Sequence, residues 1–108
     1  MSVRPGYLTS SSREPLAPTA EAIISAVSAA FDVPIGELMG SDDARRYHCA
    51  VSLLARWFTR LSYSDIGRAL GLHVSRVPRI SYALRLFVRD LEFRAGVDRA
   101  IVFLRGQK

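Results

Sequence analysis

The chain has 108 residues, 49% of them apolar, and a formal net charge of +5, which is material for one core and too little chain for a second. No apolar run is long enough to cross a bilayer, the N-terminus lacks the charged, apolar and small-residue sections of a signal peptide, and the lone Cys49 excludes an internal disulfide, so a single cytoplasmic module with no membrane partner is expected. His48, His73 and Cys49 have neither zinc-ligand spacing nor a triad setting and no phosphate-cradling glycine loop is present, so no enzyme activity, no catalytic or metal residue, no cofactor and no small-molecule substrate is expected.

Met1 to Pro18 are rich in Ser, Pro, Gly and Thr without periodicity, which predicts a disordered tail and leaves residues 19–108 as the folded domain. Thr19 can cap a helix running to Phe31, with Ile23, Ile24, Val27 and Phe31 on one face. Pro34 suits the start of a short helix whose Ile35, Leu38 and Met39 pack inward and which Gly40 closes. Ser41, Asp42 and Asp43 are the next start signal, because adjacent carboxylates ahead of a helix serve its positive end before they serve a metal. The helix that follows reaches about Arg60 and buries Tyr47, Ala50, Val51, Leu54, Phe58 and Leu61, with Trp57 as core or rim packing and Cys49 as a buried structural thiol.

From Ser62 to Arg89 the chain reads as a helix-turn-helix with a long second helix. Ile66, Leu70, Leu72, Val77 and Ile80 are apolar where the motif packs, and Gly67 and Gly71 are small where it needs a close contact and a sharp turn. Ser62 with Asp65 forms a capping box, Gly71 stops the first helix and Ser75 can cap the second. Pro78 then falls in the opening turn, where its missing N–H does no harm and fixes the helix start. The apolar stripe Val77, Ile80, Leu84, Phe87 and Leu91 leaves Arg76, Arg79, Ser81 and Tyr82 pointing elsewhere. Arg is the side chain whose fork matches the two acceptors of guanine, so Arg76 and Arg79 are the first candidates for reading double-stranded DNA, with Ser75, His73 and Tyr82 beside them. Ser64 and Arg68 on the preceding helix, and Arg45, Arg46 and His48 at the start of the long one, complete the candidate contacts.

A break is expected near Asp90, followed by a last helix with Phe93, Val97, Ala100, Ile101 and Leu104 on one face. No segment shows strand alternation, so the class is all-α with about six helices. Charge is unevenly placed: residues 44–89 hold nine arginines against Asp65 alone, a local net charge of +8, while residues 1–43 carry −4 and residues 90–108 carry +1. Basic charge concentrated on a groove-reading motif is the footprint of a DNA-binding domain.

The order AAFDVPIGELMG, ARRYHCAVSLLARWFTRLSYSDIGRALG and FRAGVDRAIVFL resembles the C-terminal DNA-binding domain of the bacterial replication initiator DnaA, over about residues 22 to 105. SYSDIG is the most specific piece, and the last segment is similar to the final helix of short bacterial proteins that carry this domain without the ATPase. The resemblance implies a Trp-repressor-like helical cluster containing a helix-turn-helix, and a basic loop, in the region of Arg45, Arg46 and His48, that reaches a minor groove and the backbone. The family's recognition helix opens Asp-His-Thr-Thr-Val where this chain has His73, Val74, Ser75, Arg76 and Val77, so only the valine is kept. The expected role is transcriptional regulation, with RNA polymerase or other regulators as further candidate partners. The alternatives are a replication-control protein competing for initiator sites, or a protein-interaction module that has lost its groove reader.

Overall fold

Thr19 accepts a hydrogen bond from the Ala22 amide at 3.1 Å and starts the first helix, α1 (Ala20–Phe31), just ahead of its apolar stripe. The helix ends where Asp32 turns left-handed (φ 54°), and Arg99 donates from Nε to the Ala30 carbonyl at 2.9 Å, an acceptor that a helix end leaves open. The computed structural model describes residues 17–39 and 44–106. The start signal at 41–43, the stop at Gly40 and nearly all of the expected tail lie outside them. Within the described residues there follow α2 (Ile35–Leu38), α3 (Arg45–Phe58), α4 (Tyr63–Leu70), a 3-10 turn (Val74–Arg76), α5 (Ile80–Arg89) and α6 (Leu91–Gly106), with no strand. The protein is all-α. Of the inward residues expected in α2 only Leu38 is buried; Ile35 and Met39 are exposed, because a single turn of helix has no room for three.

α3 is the centre of the core. Its residues from His48 to Ala55 are all buried, more than a one-sided stripe supplies, because α1, α4, α5 and α6 all pack around it. Burial pushes the Cys49 thiol up to about 11, so it is an unreactive packing group. Trp57 sits at the rim, edge-on to Phe87 with ring centroids 5.4 Å apart. α6 lies along α1 and buries Phe93, Val97 and Ala100 completely. Gly96 permits that approach, since a Cβ there would come within 2.3 Å of the Phe31 ring.

The capping box at α4 is formed in both directions, Asp65 N–H to Ser62 Oγ at 3.1 Å and Ser62 N–H to Asp65 Oδ2 at 3.0 Å. Gly71 ends α4 at φ 75°. The next helix departs from expectation. It begins at Ile80, not near Ser75, and the chain between Gly71 and Arg79 is a nine-residue connection holding only the 3-10 turn. Pro78 is the cause: its ring disfavours a helical conformation at the residue before it, and Val77 is accordingly extended (ψ 125°). Pro78 thus lies ahead of the helix, fully buried, and Arg79 is the N-cap. Starting at Ile80 also turns the inward face to Ile80, Ala83, Leu86 and Phe87, leaving Leu84 and Leu91 exposed where a stripe continuing from Val77 would bury them. The break at Asp90 is where the spacing placed it, and Asp90 Oδ1 accepts the Phe93 amide at 3.0 Å to open α6.

Candidate nucleic-acid interface

Arg45, the first residue of α3, is exposed and lies over the Tyr82 ring of α5, 5.0 Å from its centroid. Below it, Arg45, Leu72, Ser75, Arg76 and the edge of His48 line an open notch of about 300 Å³. Beyond Tyr82 a second shallow concavity of about 390 Å³ is walled by Arg85, Leu86 and Arg89. One face therefore gathers four arginines from α3, the 3-10 turn and α5 beside a single aromatic ring, and among the described residues no acid lines either concavity.

The turn that carries Arg76 is held by its own side chains. His73 Nδ1 accepts from the Ser75 amide at 3.1 Å and from the Ser75 hydroxyl at 2.8 Å, so the ring proton sits on Nε2. Ser75 therefore helps to close the turn and does not cap α5. Arg79 is placed on the other side of the connection, 4.6 Å over the Tyr63 ring, while the Tyr63 hydroxyl accepts the Ile80 amide at 3.0 Å. Tyr63 thus pins the α5 start to α4 and props Arg79 at once. Ser64 and Arg68 are exposed on α4, with Arg68 turned to Asp65 at 3.3 Å. Ser62 hydrogen bonds, backbone first, hold the Asp65 carboxyl below its ordinary range, and Arg68 adds a smaller effect.

Two expected contacts belong elsewhere. Arg46 points away from this face and forks onto Asp90 at the α5–α6 joint, lying 5.7 Å over the Phe93 ring, so its charge is used within the fold. His48 is 2% exposed, and its Nε2 donates to the Leu38 carbonyl at 2.6 Å, which holds the end of α2 against α3. His48 thus shows only an edge at the notch, and the Arg46 side chain, 37% exposed, is held on Asp90. Both corrections have the same source, since the sequence places these residues at a helix start without saying which way that start faces. Conversely, Arg85 and Arg89 belong to the face although they were not among the expected contacts; their spacing of three and seven residues from Tyr82 was the available signal.

Among the described residues no three His, Cys, Asp or Glu side chains gather as metal ligands, and no helix is long and apolar enough to cross a membrane. The chain matches no known protein family, no curated protein and no solved structure.

Proposed function

We propose that this chain binds double-stranded DNA with sequence preference and acts as a transcriptional regulator in the cytoplasm, with α4, the connection 71–79 and α5 serving as its helix-turn-helix. The observation that carries this reading is the gathering of Arg45, Arg85 and Arg89 around Tyr82, with Arg76 beside Arg45 in the adjoining notch. Cations from separate elements on one surface suit a phosphate rail, where each neutralised phosphate releases a counterion. In this reading Arg45, Arg85 and Arg89 hold the backbone, while Arg76 and Arg79, on the two sides of Pro78, reach base edges. His73 Nε2–H, Ser64 and Arg68 supply further donors to phosphate. Relationship to the DnaA DNA-binding domain belongs to the same proposal, supported by the all-helical order of elements and by the SYSDIG capping box. Enzyme activity and cofactors have no part in it.

The connection at 71–79 favours one second reading, a protein-interaction module, because the residues expected to open the recognition helix lie in a 3-10 turn and an extended link and not in an α-helix. A random-site selection on duplex DNA, followed by competition between selected and scrambled duplexes, separates the two. Arg76→Ala and Arg79→Ala are expected to weaken the selected duplex by about 1–3 kcal/mol and the scrambled one much less. No enrichment of any duplex at physiological salt would leave the interaction module standing.

A further inference from the structure

α6 is apolar on two opposite sides. Phe93, Val97 and Ala100 are fully buried toward α1, yet Leu91 is 75% and Val102 69% exposed, and with Ala95 between them they run down the opposite side at helical spacing. On α5, Val88 is also 68% exposed. The outer face of a surface helix is ordinarily polar, and large apolar side chains exposed at helical spacing there point to a contact.

The charges in the stripe select what covers it. Asp98 lies between Ala95 and Val102 and makes no ion pair among the described residues, and Arg94 flanks the stripe one turn earlier. In an antiparallel two-fold packing of α6 on itself, the register that sets Leu91 on Val102 of the second copy also sets Asp98 beside Ala95 of that copy, next to its Arg94. Two-fold symmetry then repeats the apolar pair and the ion pair, so one surface is complementary to itself. We propose that this chain forms an isologous dimer through the outer face of α6, with Leu91, Ala95, Asp98 and Val102 at its centre. The dimer does not depend on DNA. If the cationic face binds DNA as proposed above, the dimer carries two copies of it, and the selected site is an inverted repeat.

The test is sedimentation equilibrium of the whole 108-residue chain without DNA, at micromolar concentrations. A reversible dimer of twice the 12.0 kDa chain mass is expected. Leu91→Glu with Val102→Glu, which sets like charges against each other in this register, should weaken it by at least about tenfold while leaving the circular dichroism of the monomer unchanged, because both side chains are exposed. Asp98→Arg and Arg94→Asp should each associate poorly alone, and an equimolar mixture of the two should associate again, since each copy then offers the charge that the other needs. A monomer at every concentration, including one in which residues 1–16 cover the face, overturns the proposal. So does a dimer indifferent to the changes at 91 and 102, or a mixture of the charge variants that stays apart.

Discussion

Arg46 and Asp90, 44 residues apart, close a two-pronged ion pair with Nη1–Oδ2 at 2.5 Å and Nη2–Oδ1 at 3.4 Å, tying the start of α3 to the joint between α5 and α6. The Arg46 guanidinium, and after it the Phe93 amide, hold the Asp90 carboxyl below its usual range. The same pairing raises the Arg46 guanidinium. A carboxyl depressed in the folded state adds stability that is complete above the unfolded value, near about 4, and disappears as pH falls through the lower folded one. Asp90→Asn is therefore expected to lower the melting temperature at neutral pH and to flatten its fall in acid. Thermal melts across that range check this; an unchanged acid limb would show that the pair does not couple folding to pH.

The two adjacent arginines at the start of α3 face different partners, and salt separates them. If about five phosphates are neutralised, log K against log salt should fall with a slope of roughly −4 to −5. Arg45→Ala should reduce that slope by about 1, whereas Arg46→Ala should leave it unchanged and lower stability instead. Fluorescence titrations of both variants at several salt concentrations decide it.

Pro78 and Tyr63 together set where α5 begins. Pro78→Ala removes two buried ring carbons and loosens the unfolded chain, a loss of about 2 kcal/mol. Tyr63→Phe keeps the ring beneath Arg79 but leaves the Ile80 amide without its acceptor, at about 1 kcal/mol. Urea unfolding of the two variants measures both.

Gly96 sits where α6 meets the Phe31 ring, with no space for a side chain. Gly96→Ala raises helix propensity by about 1 kcal/mol but forces the ring aside, and overpacking of this kind costs about 1–3 kcal/mol. The expected outcome is net destabilisation despite the better helix former. A gain in melting temperature would mean that the Phe31 ring swings away freely.

Sequence alone determined the features whose hydrogen bonds close within a few residues. The Thr19 cap, the Ser62–Asp65 box, the turn at Gly71 and the break at Asp90 all stand where their chemistry placed them, because each donor meets its acceptor inside one turn of chain. The buried face of α6 was equally legible, as Phe93, Val97 and Ala100 follow the helical period. Tertiary structure alone decided the use of side chains whose partners are distant. Arg46 met Asp90 instead of the cationic face, His48 turned inward to Leu38, and Arg45 found Tyr82 from another helix. The late start of α5 lies between these cases: the restriction that Pro78 places on Val77 is local, but that the chain yields there and does not tolerate Pro78 within the first turn depends on Pro78 being buried and on Tyr63 holding Ile80. Periodicity says which side of a helix is apolar, and only packing between elements says what stands opposite the other side.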